Sequence, residues 1–511
     1  MQTETIAAIA TALTDSGIGI IRVSGENAVS IVDSLFLNKS GRRILSDVKS
    51  HTIHYGFIVD PEYLMISPES GSTNDNMDET SSNDVFKTFD WKSHIIDEVM
   101  VSVMKAPYSY TREDTVEINC HGGVYVTQKI LETILNTGAR LSEPGEFTKR
   151  AFLNGRIDLS KAEAVMDLIQ SRNEMALNSS VSQLRGDLFQ KIKKFREILI
   201  YEIAFIESAL DDPEHFSLSG YSDRLYKIVN ELISEHQNLI HSADNGKLIK
   251  EGISTVILGK PNAGKSSLLN ILVGKERAIV TDIAGTTRDI IEEHIYLNGI
   301  SLNIIDTAGI RDTGDKVEMI GVDMAKKYAK DADLVVYVVD SSVEIDDNDR
   351  EIISLIKGKN TIILLNKSDK EPIVGFGDIE DLIGKDSVDE TALESDILNN
   401  HFKVRIIRTS TKDFNDRSGI LEFEKAVEEM FFSGILKNNN EIVIMNIRHK
   451  EALQNSLNSL MMVKKSIEDG MEEDFFSIDL MSSYSELGKI IGEEVEDDLV
   501  EEIFSKFCMG K

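Results

Sequence analysis

Gly259-Lys260-Pro261-Asn262-Ala263-Gly264-Lys265-Ser266-Ser267 follows the apolar run Ser254–Leu258 and precedes Leu268-Leu269-Asn270-Ile271-Leu272. This order predicts a buried strand, a glycine loop of the form G-x-x-x-x-G-K-[ST], and a helix. The chemistry explains the spelling. The two glycines let backbone N–H groups close on phosphate oxygens, and the helix N-terminus adds partial positive charge; Lys265 reaches the β- and γ-phosphates and Ser266 ligates Mg²⁺. Alone, the pattern also fits a glycine turn ahead of a core helix, but three later stretches in the right order displace that reading. Asp306-Thr307-Ala308-Gly309 follows Ile304-Ile305, which puts Asp306 near the metal and the Gly309 amide near the γ-phosphate. Asn366-Lys367-Ser368-Asp369 follows Thr361–Leu365. A carboxylate at Asp369 accepts both the N1–H and the exocyclic amine of guanine, which adenine does not present, so the wrong base would leave buried polar groups unpaired. Thr409-Ser410-Thr411-Lys412, after Val404–Ile407, takes the last guanine-contacting position. The expected ligand is GTP.

Composition bounds the rest. A chain of 511 residues predicts two to four domains. Two cysteines, Cys120 and Cys508, cannot build a disulfide framework and suit a reducing compartment. No apolar run approaches the ~20 residues of a membrane span, and the first arginine is Arg22, after Glu4 and Asp15, which argues against a secretory signal or transit peptide. The expected location is the cytoplasm, with no membrane contact. Lys and Arg number 55 against 87 Asp and Glu, a net charge of −32. Acidity of that size opposes a broad grip on nucleic acid, so any RNA contact must be local or made through a partner. For most of these carboxylates solubility is reason enough.

Taken in order, residues 1–155 read as an α+β unit. Ile18–Val23, His51–Val59, Glu98–Met104 and Asp114–Asn119 are predicted strands, and Ala28–Leu37 and Val124–Leu135 predicted helices. Ser67–Asp84 is too polar to bury apolar surface and is expected to be a disordered insertion in a hairpin. Cys120-His121-Gly122-Gly123 is predicted to be a tight turn; His121 lacks metal-spaced companions, so it reads as part of the turn or a wall of a binding site rather than a metal ligand. From Phe152 the apolar period turns helical, and no proline falls between Pro144 and Pro213. Strands and helices alternate from about Glu251, and helices return after Met430, with one strand signal around Glu441–Met445. The expected architecture is an N-terminal α+β domain (1–155), a helical domain in two parts (156–250 and 433–511), and a doubly wound GTP-binding domain (251–432) inserted between them.

Between the glycine loop and Asp306 lies Gly285-Thr286-Thr287-Arg288-Asp289. Thr287 is the natural second side-chain ligand of Mg²⁺ and the sensor of the γ-phosphate. Many GTPases place a water-orienting glutamine directly after Asp-x-x-Gly, but here that residue is Ile310, which cannot hydrogen-bond a water. Glu318 is the candidate to replace it; spacing alone leaves a solvated helix face equally open.

Four further stretches carry a specific resemblance: Gly19–Gly25, Glu117-Ile118-Asn119-Cys120-His121-Gly122-Gly123, Pro144–Asn154, and the terminal Phe507-Cys508-Met509-Gly510-Lys511. With the GTP motifs, they make nearly the whole chain resemble the MnmE (TrmE) family of tRNA modification GTPases, the exceptions being insertions near 65–95 and 372–400. The resemblance implies a Ras-like P-loop domain and a homodimer formed through an N-terminal domain that binds a tetrahydrofolate derivative, 5-formyl or 5,10-methylene. It implies an FAD-dependent partner, MnmG (GidA), in a heterotetramer or larger complex that installs aminomethyl or carboxymethylaminomethyl groups at C5 of the wobble uridine of certain tRNAs. Motif by motif, the folate contacts fall on Arg22, Glu117, Arg156 (where the family often has lysine) and Lys511. A potassium ion, which replaces an arginine finger in this family, falls on Asn262, Thr281, Ile283 and Thr286. The water-positioning glutamate falls on Glu318 and a terminal cysteine on Cys508, to which no nucleophilic role is assigned. GTP contacts are expected from Asn262 through Ser267, Thr281, Thr286, Thr287, Asp306 through Gly309, Asn366, Lys367, Asp369 and Ser410 through Lys412, with Lys265, Thr287 and Glu318 catalytic.

Overall fold

A computed structural model describes residues 4–60, 91–215, 217–275, 293–297, 299–305, 329–330, 332–384, 404–411, 418–432, 442–493, 497–507 and 510. The chain divides into two compact units, residues 1–166 with 491–511, and 167–490.

The first unit is built on strands β1 (Ile6–Ile9), β2 (Ser16–Ser24), β3 (Phe36–Leu37), β4 (Thr52–Val59), β5 (Ile95–Met104), β6 (Thr115–Gly122) and β7 (Arg140–Leu141), in the order β3-β4-β5-β6-β2-β1-β7. All neighbours are antiparallel except β1 and β7. On β5, Val99, Val101 and Val103 are buried while Glu98 and Met100 face out, the period-two pattern of a sheet with one covered face. The helices Ala28–Leu35 and Val124–Asn136 cover that face through Val29, Val32, Leu35, Ile130 and Ile134. Two local expectations change. The first helix stops at Leu35 because Phe36 and Leu37 pair with Ile58 and Phe57 as β3. Cys120–Gly122 continue β6 rather than turn, since Cys120 pairs with Gly19 and Gly122 with Ser16.

The second unit holds strands β8 (Ile253–Leu258), β9 (Glu293–Leu297), β10 (Ile300–Ile304), β11 (Leu334–Asp340), β12 (Thr361–Asn366) and β13 (Val404–Arg408), in the order β13-β12-β11-β8-β10-β9. Only β9 runs antiparallel. β11 and β12 read Leu-Val-Val-Tyr-Val-Val-Asp and Thr-Ile-Ile-Leu-Leu-Asn, near-continuous apolar runs, because both sheet faces are covered. Leu334, Val336 and Val338 pack with Leu268, Leu269, Phe423 and Val427 on one face. Val335, Tyr337 and Val339 pack with Ile353, Ile356, Ile379 and Ile383 on the other.

Long helices complete this unit: Asp187–Asp211, Tyr221–Glu251, Ile447–Glu468 and Asp474–Ile491. Asp187–Asp211 buries Leu188, Ile192, Phe195, Leu199, Ile203 and Ile206, spaced by three and four; each such side chain contributes about 1.5–3 kcal/mol when fully buried. Buried in this bundle, His236 stacks on Phe195 with centroids 4.7 Å apart. Its Nδ1 donates to the Leu232 carbonyl (2.7 Å) and its Nε2 bonds Ser456 Oγ (3.1 Å), which bonds Ser483 Oγ (2.7 Å). Burial pushes this imidazole down to about 4. Residues 442–446 form no strand, contrary to the expectation around Glu441–Met445. Ser242 Oγ accepts from the Ile444 amide (3.2 Å) and Ser179 Oγ donates to the Val443 carbonyl (3.4 Å), so helix side chains replace a partner strand.

Candidate functional site

In the second unit the glycine loop and the motifs that begin at Asn366 and Thr409 meet at the carboxyl ends of β8, β12 and β13, beside β8 where the strand order reverses, the place where open α/β sheets bind ligands. The loop from Gly259 leads into the helix Lys265–Lys275. Lys265 Nζ donates to the carbonyls of Gly259 (2.6 Å) and Lys260 (2.9 Å), which holds the ammonium at the mouth of the loop. Asn262 and Lys367 have positive φ, 63° and 61°, uncommon for residues other than glycine and typical of loops shaped for a ligand.

The residue that joins the two motifs is Asn366, 0% exposed at the end of β12. Its Nδ2 donates to the Ala263 carbonyl (2.7 Å) and to Thr411 Oγ1 (3.1 Å), while its Oδ1 accepts from the Thr411 amide (3.1 Å) and from Thr409 Oγ1 (3.4 Å). One carboxamide thus ties the phosphate loop to both guanine loops. A Cβ on Gly264, at φ 109°, would stand 2.0 Å from Asn366 Nδ2, so this close approach requires glycine. Asp369 is exposed and accepts from Ser410 Oγ (3.0 Å), leaving a carboxylate edge to read a base. Lys367 pairs with Asp340 at 2.5 Å. Burial opposes the Asp340 charge, but Lys367 and Ser342 offset it and hold the carboxyl below its ordinary value. Sequence reasoning missed Asp340; its signal is a lone acid closing the apolar run of β11.

Ser266 and Ser267 open the helix as the motif requires. Thr281, Ile283, Thr286, Thr287, Asp306, Thr307, Ala308, Gly309, Glu318, Lys412, Cys508 and Lys511 lie outside the described residues. Among the described residues no cluster of His, Cys, Asp or Glu is arranged to hold a metal ion. The donor chemistry still fits the expected cations in part, since Ser266 offers a hydroxyl and Asn262 a carboxamide oxygen beside the phosphate loop.

The first unit gathers a second set of residues on the sheet face opposite the two covering helices. Arg22 on β2 and Glu117 on β6 are cross-strand partners, and Nε meets Oε1 at 2.8 Å with 16% and 25% of the side chains exposed. The Arg22 guanidinium lies 5.5 Å from the Tyr110 ring centroid and 5.6 Å from that of Phe147, and it donates to the Gly510 carbonyl (3.1 Å). Arg156 stacks on Tyr110 at 4.8 Å and donates to its carbonyl (3.0 Å). Tyr110 therefore stands between the two arginines, and nothing local in the sequence marks it. A Cβ on Gly510, at φ 88°, would fall 2.3 Å from the Ile9 carbonyl oxygen, so only glycine brings the tail this close to β1. Two cations, one carboxylate and aromatic rings suit a ligand with a flat heterocycle that donates hydrogen bonds and a distal carboxylate, which a folate has. His121 is exposed, and the hydrogen bond to Asp97 (2.7 Å) raises its pKa. Cys120 is buried and free, its thiol pushed up by burial.

Residues 5–156 match the family described as GTP-binding protein TrmE N-terminus, and residues 159–508 match the MnmE helical domain. A protein of Lachnoclostridium phytofermentans named tRNA modification GTPase MnmE is 50% identical over 511 residues, covering all of both chains. Proteins of the same name from Carboxydothermus hydrogenoformans and Alkaliphilus oremlandii are 43% and 42% identical, covering 100% and 99% of each chain. With a P-loop tied to a guanine loop in one unit and the TrmE N-terminal fold in the other, the chain belongs to the MnmE (TrmE) family of tRNA modification GTPases.

Proposed function

We propose that this chain hydrolyses GTP to GDP and phosphate as a switch that drives modification of the wobble uridine at C5 in certain tRNAs, adding an aminomethyl or carboxymethylaminomethyl group. The observation that carries the GTP reading is the hydrogen bonding of Asn366 to Ala263 and Thr411, which sets phosphate and guanine loops in one frame. Lys265 neutralises β- and γ-phosphate charge, Asp369 reads guanine, and Glu318 positions the attacking water. Ser266 and Thr287 would hold Mg²⁺, which supplies charge stabilisation on the phosphates. Asn262, Thr281, Ile283 and Thr286 would hold K⁺, whose charge serves in place of an arginine finger.

In the first unit Arg22, Glu117 and Arg156, with Lys511, would hold a tetrahydrofolate derivative, which supplies the one-carbon unit when bound. Glu117 orients the heterocycle by accepting its N–H groups, and the arginines take the carboxylate. The outward sheet face supports a homodimer: Ile53, Tyr55 and Met100 are 68%, 42% and 49% exposed on adjacent strands, more apolar surface than isolated exposed side chains present. The net charge of −32 supports RNA handling shared with a flavoprotein partner, MnmG, in a heterotetramer or larger complex. No helix among the described residues is long and apolar enough to cross a membrane. The test is GTP turnover with Mg²⁺ in potassium chloride against sodium chloride at equal ionic strength. A large gain confined to potassium is expected; equal rates would remove the cation from the reading.

A further inference from the structure

The P-loop motif leaves its second position open, and here a lysine fills it. Lys260 Nζ meets Asp349 Oδ2 at 2.5 Å and Asp346 Oδ2 at 2.9 Å. Asp349 is buried, and its other oxygen accepts from the hydroxyl of Tyr337 (2.6 Å), itself fully buried on β11. Asp346 caps the helix Asp347–Ile356 by accepting from the Asn348 and Asp349 amides, while its own amide donates to Asp349 Oδ2 (3.0 Å). The lysine thus reaches a frame fixed by a central strand and a helix cap. Burial works against the Lys260 charge, but the two carboxylates more than offset it and push its pKa up, while Lys260 holds Asp346 down.

On its backbone side the same residue meets the nucleotide machinery, because the carbonyls of Gly259 and Lys260 accept from Lys265 Nζ. Given GTP binding in this loop, the reading on which this rests, we infer that Lys260 is a positioning residue for nucleotide retention: its bridge to Asp349 and Asp346 fixes the two carbonyls that aim Lys265 at phosphate. The electrostatic logic is one-sided. Removing the ammonium leaves Asp349 buried with an uncompensated charge, which forces the local frame to rearrange, whereas an arginine can restore both contacts.

Dissociation of mant-GDP from the full-length protein, followed by stopped flow, tests this. Lys260→Met is expected to speed dissociation about tenfold, the scale of a lost charged hydrogen bond, with KM for GTP rising in parallel. Lys260→Arg is expected to return the rate to within roughly twofold of wild type, a rescue that general loosening of the fold would not give. Tyr337→Phe removes the donor to Asp349 without touching the loop and is expected to speed dissociation about threefold; it carries the test if Lys260→Met does not fold. A wild type that fails to bind mant-GDP would overturn the GTP reading itself. A wild type that binds, with Lys260→Met and Tyr337→Phe both dissociating at its rate, would leave that reading intact and overturn the positioning role.

Discussion

The two units build their sites in opposite ways. In the second, the described functional groups lie within a few residues of the ends of parallel strands, so one sheet edge collects the glycine loop, Asn366 and Thr411. In the first, Arg22, Tyr110, Glu117, Arg156 and Gly510 meet from across the chain, and Arg22 and Gly510 are 488 residues apart. A topology that repeats strand and helix delivers loops to one edge automatically. An antiparallel sheet has no such rule and needs long-range closures to assemble a comparable site. The first site should therefore spread its binding energy over several contacts, while the second concentrates it in single residues.

Replacing Glu318 by Ala is the severest test of concentration. Hydrolysis should fall about 10³-fold, within the range for a lost proton-transfer or water-positioning group, while GTP affinity by equilibrium titration is kept; unchanged phosphate release would assign the water to another group. Acid should next separate the units. His236 titrates near 4 in the fold against about 6.5 unfolded, so the unfolded chain binds more protons between those values and the second unit loses stability as pH falls from 6.5 to 4, by about 3 kcal/mol. Glu146 in the first unit behaves otherwise. Burial opposes its charge, but Arg140, the Glu143 amide and Arg150 offset this and lower its pKa, so its contribution is present above pH 4.5 and lost only below it. Calorimetry from pH 7 to 4 should show the second unit melting progressively earlier, and His236→Leu should remove that slope.

Smaller effects probe recognition. Asp369→Asn should weaken GTP about 10²-fold and improve xanthosine triphosphate, whose C2 oxygen accepts from an amide; competition against labelled GTP measures both. Arg22→Ala should weaken 5-formyltetrahydrofolate by only about tenfold, the cost of one charged contact among several. A loss near 10³-fold in calorimetric titration would show that the first site is as concentrated as the second.

The same contrast explains what could be read in advance. The strands that lead to Gly259 and Asn366 were legible because buried parallel strands are near-continuous apolar runs that end in polar signatures; β13, at the sheet edge, shows only the shorter apolar signal of Val404, Ile406 and Ile407. β5 and β6 were legible from alternation. Tyr110 and Gly510 were not, since their roles exist only after Arg22 has been brought to them, and Arg22, Glu117 and Arg156 were found through family motifs rather than spacing. Lys260 sat in full view as an unspecified motif position. Its importance comes from Asp349, which the sequence marks only as one acid among several near the start of a helix. The strand expected near 441–445 failed because the apolar run there, Ile442-Val443-Ile444-Met445, packs its buried Ile444 and Met445 and its half-buried Val443 against helices, where a single extended strand and a packed coil share one composition.

The seat of Gly510 against Ile9 carries a consequence for biosynthesis. At about 5–20 residues per second, translation separates Arg22 from Gly510 by roughly 25 to 100 s. The β-sheet of the first unit can form on the ribosome within that time, yet the arginine stays without its last carbonyl partner until the tail emerges. A chain cut short before Gly510 would keep the residues of the sheet and the P-loop but leave Arg22 without that carbonyl, so the cluster of Arg22, Tyr110 and Glu117 gains its closing contact only in chains that extend through Gly510.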